Sequence, residues 1–431
     1  MDRRTFLGLG AGAGAALWLT GCGQGGASPT SGDAESASLR FCWWGNDTRN
    51  QLTNQAIEAY RSAHSGVTIA PEPGEWSGYW DKLATQFAAS DAPDIIQMDE
   101  KYLAEYGQRG GLLDLEAAGV DVSGFAAGTA DTGRLSNGLL GINAGVNAPV
   151  LVANPQLFEQ AGVELPDDTT WTWPQFMELS AELTSKLGQP NLYGAGNLFS
   201  QDGLFKAYVR QRGGQQWTPD GTMGWEPAML EDFWQMLMDM QAAGSIQSPA
   251  ELAEEDAKPM DQTAIATGRV AMTYLWSNQI KALDNASGVD MALLRPPSVD
   301  GSVDGWLWYK ASMYWSASSR TENPAAAAAF VDWLANSPDC AKILTAERGL
   351  PPNLACREAI AADLPASDKK VAAFLDSIES EVVDAGGITP VGGSTFQQIL
   401  LRKSQDVLFD RASIADAVAS LRTEVESGLQ S

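Results

Sequence analysis

The 431-residue sequence holds one histidine, His64, and only four cysteines. Ser-His-Asp or Cys-His catalysis would rest on that single imidazole, and a metal site built from several histidines is excluded. Positive charge is also scarce: 28 Lys and Arg stand against 54 Asp and Glu, for a net charge of -26. Binding to a phosphate backbone needs clustered Lys and Arg, so this acidity excludes nucleic acid as a partner. Beyond the N-terminal segment there is no run of ~18 apolar residues that would cross a bilayer as a helix. Tryptophan, by contrast, is abundant. Its 15 residues outnumber the 13 Phe and 9 Tyr. With 44% hydrophobic and 19% charged residues the composition is globular, and the length allows two or three domains.

Residues 1–21 read as a lipoprotein signal peptide. Arg3 and Arg4 supply the charge, and Phe6 to Leu19 is an uncharged stretch too short to span a membrane. Asp2-Arg3-Arg4-Thr5-Phe6-Leu7 resembles a twin-arginine signal, and Leu19-Thr20-Gly21-Cys22 resembles a lipobox whose cysteine is lipidated. The Gly/Ser/Ala-rich residues 22–38 then read as a flexible tether. This places the body outside the cell, lipid-anchored through Cys22 at the outer face of the cytoplasmic membrane, whether cell surface or periplasm. In that oxidising compartment the short separation of Cys340 and Cys356 points to a disulfide, two unpaired packed residues being the alternative. Cys42, inside a strand pattern, reads as packed.

From residue 39 the pattern alternates. Leu39, Phe41 and Trp43 have period two, and Leu52, Ala56, Ala59, Tyr60 and Ala63 fall on one helical face. Val67 and Ile69 alternate again, Trp80, Leu83, Ala84 and Phe87 are helical, and Asp94-Ile95-Ile96-Gln97-Met98 suits a buried parallel strand. This is a βαβ arrangement. A second block begins near residue 150. There, Thr172 and Gln175 form a capping box before Phe176, Leu179 and Leu183. Ala271–Leu275 reads as a strand, and the C-terminal third is mainly helical.

The order of several short motifs resembles the family 1 extracellular solute-binding proteins of ABC importers, the sugar-binding group. They include Leu39-Arg40-Phe41-Cys42-Trp43-Trp44-Gly45, Ala92-Pro93-Asp94-Ile95-Ile96 and Gly111-Leu112-Leu113-Asp114-Leu115. Leu157 to Val163, Thr172-Trp173, Gly268 to Met272, Asn323 to Ala327 and Gly349-Leu350-Pro351-Pro352 follow. The resemblance implies an α/β, two-lobed, periplasmic-binding-protein-like fold, with a hinge crossed several times and ligand in the inter-lobe cleft. By analogy the crossings fall near 146–150, 268–271 and 318–324. Residues 39–147 plus 271–320 would form lobe 1, and 148–270 plus 321–431 lobe 2. The implied partners are a sugar or oligosaccharide and the membrane permease. The protein would work as a monomer, with no cofactor and no metal.

A sugar is held by flat aromatic rings on its C–H faces and by polar groups at its hydroxyl rim. In α/β sheets such groups sit just beyond the carboxyl ends of strands. Four strand ends have that composition. The first is Trp43-Trp44-Gly45-Asn46-Asp47, where Trp43 shares the core phase of Phe41 and leaves Trp44, Asn46 and Asp47 for ligand, with helix capping the alternative for Asp47. The others are Glu75-Trp76, Asp99 (which also suits a helix cap), and Trp276-Ser277-Asn278. For Trp276, the resemblance implies stacking on sugar. Trp306 and Trp308 share one side of a short segment, either a cleft wall or an ordinary strand face. Arg348 could grip hydroxyls or lie on the surface. Asn197, in a loop, and Asn143, where many relatives carry proline, complete the candidates. Trp171, Trp173, Trp234 and Trp333 read as core.

These residues favour a non-catalytic receptor for a neutral sugar or oligosaccharide. Phosphorylated ligands are disfavoured because only Arg348 offsets the acidic candidates. Two alternatives use the same residue types. A surface glycoside hydrolase would also need aromatic platforms and two carboxylates. A receptor for a cationic small molecule would hold it with Asp47, Glu75 and Asp99 in an aromatic cage.

Overall fold

The computed structural model describes residues 36–255 and 258–429; the signal peptide, Cys22 and all but the end of the tether lie outside the described residues. The strands that position the site are β1 (Ala37–Trp44), β2 (Val67–Gly74), β3 (Ile95–Met98), β4 (Ile142–Asn143), β5 (Val146–Asn147) and β6 (Pro149–Ala153). They continue with β7 (Tyr193–Ala195), β8 (Val270–Trp276), β9 (Ala292–Leu294), β10 (Lys310–Ala311) and β11 (Tyr314–Ala317).

One sheet runs β2-β1-β3-β11-β4, with β2, β1 and β3 parallel and β11 antiparallel to both neighbours. The period of two in β1 puts Leu39, Phe41 and Trp43 into one core, and Cys42 and Trp44 into another cluster on the opposite face. Both faces are therefore covered, by helices α1 (Asp47–Ala63), α2 (Trp76–Ala88) and α3 (Glu100–Gln108) among others. The second sheet runs β9-β6-β8-β7. Its core gathers Trp173 and Phe176 of α4 (Trp173–Leu187) and Phe205 and Tyr208 of α5 (Asp202–Gln211). The capping box of α4 forms as expected from the sequence: Thr172 Oγ1 accepts from Gln175 N, and Gln175 Oε1 accepts from Thr172 N at 2.8 Å.

The two sheets redraw the division expected from the sequence. β8 and β9 pair with β6, so residues 270–294 belong to the second lobe rather than to lobe 1. Conversely, α6 (Pro324–Asn336) and α7 (Pro338–Leu344) pack on the first sheet, where Phe330 meets Phe41 at 5.8 Å. The crossings also shift. The one near 146–150 lies where the chain passes from β4 to β6, but the others fall at Lys310–Met313 and near Leu350, not at 268–271 or 318–324. The cause is hydrophobic pattern: Ala271–Leu275 and the Ala-rich helix after Pro324 are apolar enough for either core, and tertiary pairing decides.

All three passages are fastened together. β5 pairs with β10, Val146 N donates to Leu350 O at 2.8 Å, and Ser312 N donates to Gly145 O at 2.9 Å. This requires glycine at 145, since a Cβ there would sit 1.9 Å from the carbonyl oxygen of Arg348.

The expected disulfide is not formed. Cys340 packs in the first core beside α6, whereas Cys356 packs in a second-lobe cluster and points its thiol at Ala335 O, 3.8 Å away. Burial raises both thiols, that of Cys356 to about 11, so they stay protonated and inert.

Two outcomes follow. Cys42, Cys340 and Cys356 should all react with a thiol reagent in denaturant without prior reduction; a pair released only by reductant contradicts the structure. Gly145→Ala should lower the melting temperature by at least 5 °C, the scale of a displaced backbone in a packed hinge, and a neutral effect contradicts the close approach.

Candidate functional site

A cavity of about 670 Å³ lies between the lobes. The first lobe contributes Glu100 and Lys101 from the start of α3, Arg134 and Tyr314; the second contributes Asp202, Lys206, Trp276 and Trp308. Lys310 reaches it from the hinge strand β10.

Trp276 ends β8, so its side chain emerges at the carboxyl end of the second sheet, the place where α/β folds present ligand groups. Its backbone N–H donates to Gln279 Oε1 at 2.9 Å, which holds the strand end. The Trp308 ring meets Trp276 edge to face, 6.2 Å between centroids. Trp308 comes from an irregular segment and not from a strand; it is buried, as is its neighbour Trp306, which donates to Ser302 O. Lys206 Nζ lies 4.9 Å over the Trp308 ring and Arg210 lies 5.4 Å from it. Lys310 Nζ lies 5.3 Å over Trp276. Both rings are thus faced by cations.

Lys206 sits on α5, whose other face carries Phe205 and Tyr208 into the core. Burial lowers its ammonium to about 8, Arg210 and Lys310 push the same way, and Glu100 and Asp202 resist. Lys101 behaves oppositely. Burial would lower it, but Asp202, Asp99 and Glu100 outweigh burial and hold it above its ordinary value. Two contacts cross the cleft at this point: Thr389 N donates to Glu100 Oε1 at 2.6 Å, and Lys101 Nζ donates to Gln397 Oε1.

A second cavity of about 520 Å³ shares Trp276 with the first. Asn197, Ser200, Thr273 and Gln279 line it, and so does Tyr274, whose buried hydroxyl has no hydrogen-bond partner among the described residues.

Of the candidate residues, the cleft collects Trp276 and Trp308, and the second cavity takes Asn197. Asn278 lies in the turn after Trp276 without lining the cleft. The others serve structure. Asn46 caps α1 by accepting from Arg49 N, Asp47 is the exposed residue after it, and Asp99 caps α3 by accepting from Lys101 N. Trp44 is 8% exposed, packed against Trp76, Tyr79 and Trp80 at 5.1 to 5.5 Å. Trp76 is the 45% exposed edge of that aromatic cluster, and Glu75 is exposed beside a smaller pocket on the first lobe. Asn143 is buried, accepting from Gly145 N. Arg348 is neither on the surface nor in the cleft. It is 2% exposed and donates to Gln97 Oε1 and Thr53 Oγ1 over the Trp315 ring.

The acidic cage of Asp47, Glu75 and Asp99 is therefore not assembled in the cleft, and the expectation that only Arg348 offsets the acidic candidates fails. Lys101, Lys206 and Lys310 do so instead. Sequence reasoning missed them because a lysine on an amphipathic helix reads as solvated. The one usable signal was Lys310, two residues after Trp308.

A profile of the bacterial extracellular solute-binding protein family matches residues 45–339. The chain is similar to the solved structure of an extracellular solute-binding protein family 1 from Alicyclobacillus acidocaldarius, at 23% identity and a TM-score of 0.73, over 92% of this chain and 99% of that one. It is also similar to a periplasmic oligogalacturonide binding protein from Yersinia enterocolitica in complex with saturated digalacturonic acid, at 20% identity and a TM-score of 0.77, over 91% and 99%. It is 27% identical over 192 residues to the lactose-binding protein of Rhizobium radiobacter, 42% of this chain and 43% of that one. The chain spans about two fifths of the length of the curated relatives it matches. The structural likenesses establish the two-lobed fold.

The buried ammonium has a measurable consequence. Below about 8 both folded and unfolded chains keep the Lys206 proton, so the folded state bears the full burial penalty. As pH climbs towards ~10.4, the unfolded chain holds a proton that the folded one has released, and the penalty fades. Lys206→Met should raise the melting temperature on the order of 2 °C at pH 7, the shift about 1 kcal/mol produces. Melting curves should show the gap closing by pH 10; a gap independent of pH contradicts this account.

Proposed function

The chain belongs to the bacterial extracellular solute-binding protein family, and we propose that it is the capturing subunit of an ABC importer for a sugar or oligosaccharide. The observation that carries this reading is the half-buried Trp276 at the end of β8, in an inter-lobe cavity of about 670 Å³ and backed by the buried Trp308. The Trp276 indole offers a flat wall to a C–H surface, with the Trp308 ring packed against it at 77° and charged groups around it for the hydroxyl rim. Relatives named for lactose and for oligogalacturonide binding support a saccharide as the class.

Capture works by population shift. A ligand touching both lobes favours the closed arrangement by as much as its contacts there exceed those in the open one. Glu100–Thr389 and Lys101–Gln397 are polar contacts across the cleft, so they favour the arrangement in which they form. The closed form is then what the permease accepts. The export signal and Cys22 tie the receptor to the membrane where that permease resides. Such a receptor binds without reacting.

A thermal-shift screen of purified protein against mono- and oligosaccharides, followed by calorimetry on the strongest hit, tests the reading. Trp276→Ala should weaken that hit by about 2 kcal/mol, roughly thirtyfold, as loss of a central aromatic contact does. Trp76→Ala, which removes an exposed ring outside the cleft, should leave it within twofold. Equal effects of the two substitutions, or stabilisation by no saccharide, would overturn the proposal.

A further inference from the structure

The cleft contains lysines that have found no carboxylate. Lys101, Lys206 and Lys310 make no ion pair among the described residues, whereas Lys82, Lys186, Lys281 and Lys370 elsewhere each do. Carboxylates are not in short supply, since Asp and Glu outnumber Lys and Arg by 54 to 28. Unpaired cations gathered in one cavity of so acidic a chain therefore call for an explanation by the cavity's contents. A desolvated charge without a partner is costly, and the cost rises when a lid closes and expels the remaining water.

The lysines divide into two groups. Lys101 is already compensated: it donates to Gln397 and feels Asp99, Glu100 and Asp202. Glu100 accepts from Thr389 N and Asp202 from Gly203 N at 3.0 Å; both act on Lys206 at a distance, and no carboxylate among the described residues stands at ion-pair range of it. Asp220 and Asp384 also line the cavity. Lys206 and Lys310 lie on the other side, over the two tryptophan rings, with Arg210 as a third cation beside Trp308. Lys310 has one hydrogen bond, to the carbonyl of Ala311; Arg210 donates through a terminal nitrogen to Asp384 O at 2.6 Å and leaves its buried Nε without a partner among the described residues. Hydroxyls of a neutral sugar would solvate these ammonium groups without neutralising them.

We propose that the saccharide taken by this cleft is acidic, its anionic substituent held between Lys206 and Lys310 while its ring lies against Trp276. The inference rests on the saccharide reading above and adds the charge of the ligand. A carboxylate on a uronic acid and a phosphate ester on a hexose offer the same chemistry to two ammonium groups. A site organised around a charged partner rejects the analogue lacking it, because closure would then leave both lysines unpaired.

Calorimetry on the mature protein provides the test. The probes are di- to tetrasaccharides of galacturonate and glucuronate, the matching galactose and glucose oligomers, and hexose 6-phosphates. At least one acidic probe should bind tenfold or more tighter than its neutral counterpart, and its affinity should fall as salt is raised. Lys206→Gln with Lys310→Gln should shrink that preference to within about twofold, while Trp276→Ala weakens acidic and neutral probes alike. Preference for uronates or for phosphates identifies the substituent, and either supports the proposal. Neutral oligomers that bind as tightly as acidic ones overturn it and leave the saccharide receptor standing. No binding by any probe overturns both. The doubly substituted protein should melt no lower than the parent, which separates lost charge from lost fold.

Discussion

The two lobes are held to one another by backbone hydrogen bonds around Val146. Three separate passages of the chain meet there, at Val146, Ala311 and Leu350. Main-chain pairing can bend without breaking, so the lobes can change their relation while the register stays fixed. The same short clamp orients the site. Lys310 belongs to β10, Trp308 enters it, and Tyr314 leaves it for the first sheet, so ligand groups from three directions share one anchor. Close approach at the clamp leaves no room for a side chain at Gly145, whose Cβ would strike the Arg348 carbonyl.

Arg348 is part of that support rather than of the ligand. Its guanidinium bonds Gln97 of β3 and Thr53 of α1, and the adjacent Glu347 takes the Arg49 side chain at 2.9 Å. The segment entering the last crossing is thereby tied to the carboxyl ends of the first sheet. A polar network this buried is satisfied from several elements at once, which fixes their mutual placement more firmly than packing alone. The first lobe spends its strand ends on this network, on the caps Asn46 and Asp99, and on the aromatic cluster around Trp44. Ligand chemistry is left mainly to the second lobe and the hinge.

That division explains which parts were legible from sequence. Period-two burial of Leu39, Phe41 and Trp43, the capping box at Thr172, and the strand ending at Trp276 are local patterns with a local cause, and each formed. Asn46 and Asp99 stand at strand ends too, but a side-chain oxygen just before a helix satisfies a free backbone N–H more cheaply than it can wait for a ligand. Lobe membership of β8 and of the helix after Pro324 was not readable, because an apolar strand or helix fits either core. Cys340 and Cys356 are near in sequence yet packed in different clusters, a separation that spacing cannot express.

The lysines show the deeper limit. Lys206 lies on a helix between core-facing Phe205 and Ala207, and its charge says nothing in sequence about what faces it. Only the fold sets it over Trp308 with Lys310 nearby and no carboxylate at ion-pair distance among the described residues. The overall acidity then acquires a use at the site. A strongly negative surface repels anions at long range, but screening confines that repulsion to about a Debye length of ~8 Å at physiological salt. Inside a cleft with low-dielectric walls the nearest charges dominate, and over the tryptophan rings those are Lys206, Arg210 and Lys310, with Glu100 and Asp202 opposing them in the same cavity. The charges a cleft presents are thus a local mixture that the sign of the whole chain does not describe, and net charge is a poor guide to what such a receptor binds.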